Sequence, residues 1–312
     1  MKIKTTVVTV ALAFASMAQA QTTPTPDATL DHVMKTHTFN IGVRDASVPL
    51  SYRDGKGGHV GLAVDLCNKI ADQVKTVVPD VKVNYVEVTS SNRIDFVKQG
   101  KIDVECGSTT DNDARQKQVS FTIPYFYSGI SGDVLASSPY RKLGDLPDGS
   151  VIAYTKGTTT ATAIGTLDKS FYFRNKDNRL KKVEGKDHQE SFNFVRDGKA
   201  SAFLNDDILV YGLIANSDNP KNYRMLTKED GTEQVFSVEP YGIMFRLGSP
   251  RFARLADRTI ADLMTSGEFK KMYDQWFMNP IPPKGANLNV PMSHLLKDLV
   301  RNPTDVIGGY TK

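Results

Sequence analysis

The stretch KIDVECGSTTDNDARQK, residues 101–117, contains the change of pattern that decides the fold. Apolar residues alternate from Ile102 to Cys106, which predicts a strand. The hydroxyl residues Ser108–Thr110 follow, then Asp111 at a position suited to cap a helix, then Arg115. A helix start offers free N–H donors and Arg115 adds a full positive charge, so the stretch is a candidate anion-binding site. A capped helix with an exposed arginine is the alternative that the stretch alone leaves open.

The chain around this stretch repeats a strand–helix pattern, which predicts an α/β fold with mostly parallel sheets. Apolar residues recur at helical spacing in residues 62–77, between alternating segments that predict strands at residues 38–44 and 81–88. The pattern starts again after residue 150 with strand and helix signals in turn, and no close internal sequence repeat connects the two units. A final helical pair is predicted at residues 249–277.

Length and composition indicate an ordinary globular protein with two domains. The chain has 312 residues, of which 40% are hydrophobic and 24% charged, and this length exceeds that of a typical single domain. The formal net charge is only +4, which is too weak for general nucleic-acid binding. We therefore expect no nucleic-acid partner, and any basic groups that matter are expected to act locally.

The first 20 residues have the features of a cleavable secretory signal peptide. Lys2 and Lys4 form a basic start, residues 7–17 are mostly apolar, and Ala18-Gln19-Ala20 is a small-x-small cleavage site. An N-terminal membrane anchor is the alternative, but the apolar run is shorter than the roughly 18 residues that a membrane span needs. We predict a soluble protein exported to the periplasm, with a mobile Pro/Thr-rich leader at residues 21–30.

Both cysteines are expected in the same buried core. Cys106 shares the inward side of its strand with Ile102, and Cys67 lies on the apolar side of its helix with Ile70. An oxidising compartment permits a disulfide between them, and two packed thiols remain the alternative. No histidine lies at ligand spacing from either cysteine, so we expect no metal site.

Eight sequence blocks in order give the chain a resemblance to a known family. It resembles the periplasmic substrate-binding proteins of ABC amino-acid importers, the polar amino-acid family, and in particular its glutamate/aspartate-binding branch. No block is decisive by itself, but together they cover nearly the whole predicted mature chain. The blocks are VRDASVPLSY, TSSNRI, ECGSTTDNDARQK, KGTTT, KDHQESF, AFLNDD, EPYGIMFR and WFMNPIPPK.

The resemblance implies a two-lobe fold, each lobe a mostly parallel sheet flanked by helices. One lobe would comprise residues 31–134 plus 238–312, and the other residues 135–237. Two connecting segments, near residues 131–134 and 237–241, would form a hinge that closes around a ligand.

The resemblance also assigns the groups that would hold the common part of an amino acid. Arg115 and Thr110 would bind the α-carboxylate, with Ser108 near the ammonium group. Asp206 would bind the ammonium group, and its neighbour Asp207 is the competing candidate. An arginine fork suits a carboxylate because it can donate two parallel hydrogen bonds.

The side-chain carboxylate of an acidic amino acid would lie against Arg44 and Arg93, aided by Ser90, Thr159 and His188. Relatives that bind cationic amino acids carry an acidic residue at the place of Arg44, so a cation there favours an anionic side chain. His188 could be neutral or charged, and a carboxylate beside it would favour the charged form.

The function implied is capture of glutamate or aspartate by hinge closure and delivery to an inner-membrane ABC permease, by a monomer without cofactor or metal. The main alternative is a periplasmic dehydratase of the same fold that acts on a prephenate-like dicarboxylate. Such an enzyme needs a general acid to protonate a leaving hydroxyl. Every strong candidate residue instead pairs with a carboxylate or an ammonium group, so we expect a binding protein rather than an enzyme.

Overall fold

The computed structural model describes residues 25–168 and 180–304, in which two α/β lobes are joined by a pair of crossing strands. The signal peptide predicted at residues 1–20 lies outside these residues, as does the start of the predicted leader. The helices are α1 (Leu30–Thr36), α2 (Leu62–Val77), α3 (Arg93–Lys98), α4 (Asp113–Gln116), α5 (Thr160–Asp168), α6 (His188–Arg196), α7 (Asp207–Ala215), α8 (Pro250–Thr265), α9 (Glu268–Phe277) and α10 (His294–Arg301).

The strands form two five-stranded sheets and two smaller ones. They are β1 (Thr38–Val43), β2 (Ala46–Ser47), β3 (Ser51–Arg53), β4 (His59–Val60), β5 (Lys82–Glu87), β6 (Val104–Cys106), β7 (Ser120–Phe121), β8 (Phe126–Ser128), β9 (Ile130–Leu135), β10 (Val151–Thr155), β11 (Lys181–Gly185), β12 (Ala202–Asp206), β13 (Tyr223–Met225), β14 (Glu239–Tyr241) and β15 (Met244–Phe245).

The two large sheets have the same topology. The first has the order β5-β1-β6-β15-β7 and the second β11-β10-β12-β9-β13. In each sheet the first three strands are parallel, the fourth runs the other way, and the fifth is antiparallel to the fourth. Four of five strands therefore run in one direction, as predicted, and their carboxyl ends share one edge of each sheet.

Lobe 1, the lobe that contains β1, is held together by one large apolar core. Helix α2 begins after Gly61 and places its apolar stripe against the sheet, which confirms the helix predicted at residues 62–77. The stripe includes Cys67, which forms a disulfide with Cys106 of β6 across a Cα–Cα distance of 6.2 Å. The question that the sequence left open is therefore answered in favour of a bridge, which ties the helix to the sheet beneath it.

Lobe 2 has an apolar cluster on each face of its sheet. Neighbouring residues of one strand belong to different clusters: Ile152 of β10 packs in the cluster on one face, and Ala153 packs in the cluster on the other. This pattern follows from the period of two in side-chain direction along a strand, with helices covering both faces.

The chain passes from one lobe to the other at two adjacent strands, β8 and β14. Their position corrects the first of the two predicted hinge segments. β8 and β14 pair antiparallel with each other, outside both large sheets. Residues 131–134, predicted as a hinge segment, instead lie inside β9, where they pair with β12 and β13 of lobe 2. The first crossing is therefore near Gly129, about five residues before the predicted boundary at residue 134. The other lobe boundaries stay predictions.

The expected mobile leader also ends earlier than predicted. Asp27 is buried, and its carboxylate accepts backbone N–H groups of Leu30 and of Arg251 and Phe252 at the start of α8. A carboxylate at a helix N-terminus is favoured by the helix dipole and by the unpaired N–H groups there. Residues 27–30 thus belong to the packed lobe.

Among residues 25–168 and 180–304, we find no helix with both the length and the apolar character that a bilayer crossing requires.

Asp133 of β9 lies in the core of lobe 2, and its two carboxylate oxygens have no hydrogen-bond partner. Its strand neighbours, Phe203 and Met225, belong to an apolar cluster. Burial raises the pKa of Asp133 well above its usual range, because the charged form is poorly solvated there. The native state therefore favours the protonated acid, and stability is lost as the pH rises from about 4 toward the folded pKa.

We predict that Asp133→Asn removes this loss. The variant should gain stability relative to the parent as the pH rises from 4.5 to 8, by about 1.4 kcal/mol for each unit of pKa shift removed. Denaturant unfolding at the two pH values measures the effect. Asp197→Asn, an exposed acid in the same lobe, is the control and should leave the pH dependence nearly unchanged; equal pH dependence in Asp133→Asn and the parent would contradict the prediction.

Candidate functional site

All nine predicted site residues follow, or end, strands whose carboxyl ends face the cleft between the lobes. In lobe 1, the segments that follow β1, β5 and β6 carry six of them, and Arg93 and Arg115 lie in the short helices α3 and α4. In lobe 2, segments at the ends of β10, β11 and β12 carry the other three. The structure brings eight of them together: Arg44, Ser90, Arg93, Thr110 and Arg115 from lobe 1 lie near Thr159, His188 and Asp206 from lobe 2. Ser108 instead contacts Ser47 within lobe 1.

Arg44 is buried and has partners in both lobes. One terminal nitrogen, Nη2, donates to Ser90 Oγ and lies 3.3 Å from His188 Nε2 of lobe 2. The other, Nη1, is 3.5 Å from a carboxylate oxygen of Glu105 and makes no hydrogen bond. Arg44 is therefore held inside the cleft rather than at the surface, and one of its donors is free for another acceptor.

Arg93 and Arg115 reach toward the same point in lobe 2. Each donates through Nη2 to the backbone oxygen of Gly157, at 3.4 Å in both cases. Arg115 also donates through Nη1 to the backbone oxygen of Thr110 at 2.7 Å, whereas Nε of Arg93 is buried without a partner. The 3.4 Å contacts are long for hydrogen bonds, so both guanidiniums have unused capacity to donate.

Burial destabilises the charged arginines of the cleft; two like charges add to this effect at Arg93, whereas Asp206, Glu239 and Glu105 offset it at Arg115. Burial is the largest cause that lowers the pKa of Arg44, Arg93 and Arg115. For Arg93 the next causes are the charges of Arg115 and Arg44, and its pKa lies well below the ordinary value. Arginine does not lose its proton in proteins, so this destabilisation acts as a preference for an added anion.

His188 is neutral in this cleft. Burial lowers its pKa well below the usual range, and the charges of Arg44 and Arg93 add to the effect. Nε2 lies 3.3 Å from the Arg44 donor, and Nδ1 lies 3.0 Å from both Thr155 Oγ1 and the side-chain amide nitrogen of Asn205. Of the two forms that the sequence left open, the neutral one is present, and it orients the arginine without competing for an anion.

Asp206 faces the cleft, and Asp207 faces the crossing strands. Tyr241 donates its hydroxyl to Asp206 Oδ2, and Asp206 Oδ1 is buried without a partner. Burial, followed by the charge of Glu239, raises the pKa of Asp206 to about 7. Asp207 instead accepts a hydrogen bond from Ser128 Oγ of β8. The geometry therefore favours Asp206 as the acid that faces a guest.

Three neighbours of the site were not among its predicted residues. Glu105 is buried beside Arg44, and Glu239 of β14 accepts the hydroxyls of Thr110 at 2.6 Å and Thr159 at 2.8 Å. Tyr241 lies within the block EPYGIMFR, which carried the family resemblance but no assigned role. One signal in the sequence pointed to Glu105, which is an acidic residue inside a strand that is otherwise apolar and buried. Such a residue indicates a buried partner of opposite charge.

Lys156 and Ser108 each make a side-chain contact within their own lobe. Lys156 is exposed, with its ammonium group 3.6 Å from Glu184. Ser108 donates to Ser47 Oγ at 3.1 Å within lobe 1. Lys156 is therefore an exposed partner of Glu184, and Ser108 is a buried polar contact inside lobe 1.

One group of described residues has metal-ligand character. Asp45, His59 and Glu87 bring their ligand atoms within 4.8 Å of one another. The guanidinium of Arg53 donates to both carboxylates, and it compensates their charge. The group is a solvated ion-pair network rather than an argument for a bound metal.

The geometry has the form of a ligand cleft, and comparison with known proteins agrees. Residues 39–279 match the model of the bacterial extracellular solute-binding proteins, family 3. The chain belongs to this family. Family members act outside the cytoplasm, so this solute-binding protein is extracytoplasmic. Its resemblance to amino-acid-binding members, inferred above from eight blocks, is confirmed at the level of the family.

Two relatives are similar over most of their length. The L-glutamate/L-aspartate-binding protein of Pseudomonas aeruginosa is 40% identical over 89% of each chain. The glutamate/aspartate import solute-binding protein of Escherichia coli is 36% identical over 93% of each chain. A solved cysteine-binding protein from Campylobacter jejuni shares the fold, with a TM-score of 0.68, 22% identity and coverage of 85% of this chain and 99% of that one.

Gly157 permits the close approach of the two lobes in this solute-binding protein. It has φ +77°, and a Cβ there would lie 2.5 Å from the backbone oxygen of Ser90 in lobe 1. We predict that Gly157→Ala holds the lobes apart, because backbone atoms cannot give way cheaply. Small-angle X-ray scattering should show a larger radius of gyration for the variant than for the parent under conditions that close the parent.

Gly149→Ala is the matched control for this prediction. Gly149 lies in the same lobe with φ +84°, but a Cβ there would meet no atom within 4 Å. Both variants carry the same kind of left-handed strain, about 1–2 kcal/mol, so thermal unfolding should shift in both. Equal compactness of the two variants would show that the contact with Ser90 does not limit closure.

Proposed function

We propose that this solute-binding protein captures L-glutamate or L-aspartate in the cleft and delivers it to an inner-membrane ABC permease. It would act as a monomer in the periplasm, without cofactor or metal and without a nucleic-acid partner. The convergence of three buried guanidiniums on one cleft carries the proposal. The names of the two relatives support the ligand class and the importer.

The charges of the cleft complement an acidic amino acid. Arg115 would bind the α-carboxylate, together with Thr110, while Arg44 and Arg93 would bind the side-chain carboxylate. Asp206 would accept the ammonium group through its free Oδ1. Each buried arginine that gains a carboxylate partner recovers a charge-assisted hydrogen bond, which is stronger than a neutral one.

Closure of the cleft follows from the division of the proposed ligand contacts between the two lobes. Lobe 1 contributes all three arginines, and lobe 2 contributes Thr159, His188 and Asp206. A ligand that contacts both groups binds the closed form better than the open one, and this difference in affinity is what shifts the population toward closure. The closed form would then be the form that the permease recognises.

The dehydratase alternative is not favoured. The similar relatives are named as binding proteins for import rather than as enzymes. Asp206 has a raised pKa of the kind that a general acid needs, but it stands opposite Arg115, where the ammonium group of an α-amino acid would be expected. Fold alone would not separate the two functions.

Two arginine substitutions should have different effects on selectivity. Arg115→Ala removes the partner of the α-carboxylate, which glutamate and glutamine share, so both ligands should lose about 2–5 kcal/mol of affinity. Arg44→Gln removes a partner of the side-chain carboxylate, so the ratio of glutamate to glutamine affinity should fall at least about tenfold. Calorimetric titration of ligand-stripped protein measures both.

Arg53→Gln is the control for these substitutions. Arg53 lies near Arg44 in lobe 1 but is half-exposed and pairs with Asp45 and Glu87. Its loss should leave both affinities within about threefold of the parent, since exposed ion pairs contribute little. An unchanged selectivity ratio in Arg44→Gln would contradict the assignment of the side-chain carboxylate.

Binding should also release a proton at Asp206. The ligand-free acid has a pKa of about 7, and an ammonium partner favours its charged form. Affinity should therefore weaken below pH 7, with a limiting slope of about tenfold per pH unit. Titration in two buffers of different ionisation enthalpy should show up to one proton released at pH 6 and almost none at pH 8.5.

Asp207→Asn is the matched control for the pH effect. Burial also raises the pKa of Asp207, to about 6, but its carboxylate contacts Ser128 instead of the cleft. This variant should keep the proton release, whereas Asp206→Asn should bind weakly with a nearly flat pH profile. If Asp207→Asn alone abolished the release, the ammonium site would have to be reassigned.

A further inference from the structure

Glu239 lies at a point that both lobes share. It begins β14, one of the two crossing strands, and pairs with Ser128 of β8. The residue is half-buried, and none of the roles assigned above to the nine site residues uses it. Its carboxylate nevertheless contacts two of the predicted site residues, Thr110 and Thr159.

One oxygen of this carboxylate binds both lobes. Oε2 accepts the hydroxyl of Thr110 in lobe 1 at 2.6 Å and the hydroxyl of Thr159 in lobe 2 at 2.8 Å. Within residues 25–168 and 180–304, the one contact of Oε1 is a long one of 3.5 Å from Ser237 Oγ. Because the two threonines move with different lobes, a single oxygen can accept from both only while the cleft is closed.

The direction of these hydrogen bonds determines what the hydroxyls can do for a ligand. Each hydroxyl has one proton to donate and two lone pairs to accept with. With both protons donated to Glu239, Thr110 and Thr159 present acceptors to the cleft. Asp206 Oδ1, buried without a partner, is a further acceptor there. Acceptors of this kind suit a group with several N–H donors, such as an ammonium group.

We infer that Glu239 stabilises the closed cleft by accepting hydrogen bonds from Thr110 and Thr159 of the two lobes, and we call this pair of contacts the latch. We infer also that it turns the hydroxyl oxygens of both threonines toward the ligand's ammonium group. This inference rests on the proposed function for the identity of the ligand. It assigns Thr110 to the ammonium group rather than to the α-carboxylate, and leaves Arg115 as the main α-carboxylate partner. Hydrogen bonds to a charged carboxylate are the stronger kind, so the latch should have a measurable effect on closure.

The test compares Glu239→Gln, Glu239→Ala and Thr159→Val with the parent protein. Calorimetry with L-glutamate gives the affinity, and stopped-flow displacement gives the dissociation rate. Small-angle X-ray scattering of ligand-free protein reports closure without any ligand. Thermal unfolding of each variant checks that it folds, and Glu239→Gln, which keeps the shape of the side chain, serves if Glu239→Ala does not.

The matched control is Glu233→Gln. Glu233 is another half-buried carboxylate, a few residues before β14, and it accepts a hydrogen bond from the hydroxyl of Tyr211 in lobe 2 at 2.7 Å. Its removal should leave the dissociation rate and the ligand-free radius of gyration at parent values.

We expect Glu239→Gln to weaken glutamate binding about tenfold or more, mainly through faster dissociation, and to make the ligand-free protein more extended. Combining it with Thr159→Val should add little further effect, since both changes break the same contact. Parent-like affinity and dissociation rate would overturn the latch. Tighter binding would also overturn it, because Glu239 would then be a group that competes with the ligand's carboxylate for the arginines of the cleft.

Failure of the latch and failure of the proposed function give different results. If the parent protein bound neither glutamate nor aspartate, the proposed function would fail, and the scattering comparison alone would decide on the latch. An unchanged radius of gyration in Glu239→Gln would then overturn it. If the parent bound glutamate and Glu239→Gln behaved identically in all measurements, only the latch would fail.

Discussion

Three guanidiniums buried in one cleft are the constraint on which the rest of the structure depends. Moving an ion into a protein interior costs several kcal/mol even after relaxation, and an arginine cannot avoid this cost by losing its proton. Glu105 compensates Arg44 only in part, across 3.5 Å without a hydrogen bond, and Arg93 is placed beside two like charges. A cleft of this kind favours an anionic guest over water and over a cationic one.

The fold supplies this cleft by using one topology twice. Each lobe directs the carboxyl ends of its parallel strands toward the other, so the ends of strands and the segments that follow them provide every predicted site residue. The paired strands β8 and β14 keep the lobes adjacent, and glycines permit close approach where backbones meet. Gly212 of α7 is a second such place, because a Cβ there would lie 2.4 Å from the backbone oxygen of Val48 in lobe 1.

The sequence predicted the elements well and the junctions between lobes poorly. Helix α2 and the positions of Arg44 and Arg115 follow from periodicity and from ordered blocks. The first hinge segment came from the family resemblance, and no local pattern corrected it, because β9 is buried along most of its length and lacks the alternation of a half-exposed strand. Asp27 was taken as mobile because its partners at the start of α8 are more than 220 residues away in sequence. Glu239 depends on both lobes at once, which no local pattern can indicate.

The most direct test of the central claim is calorimetric titration of the ligand-stripped protein with L-glutamate, L-aspartate, their two amides and L-arginine. We expect tight binding of at least one acidic amino acid, weaker binding of the amides by at least about tenfold, and no measurable binding of arginine. Arginine or an amide bound more tightly than both acidic amino acids would contradict it, because the buried guanidiniums would then have no anionic side chain as a partner.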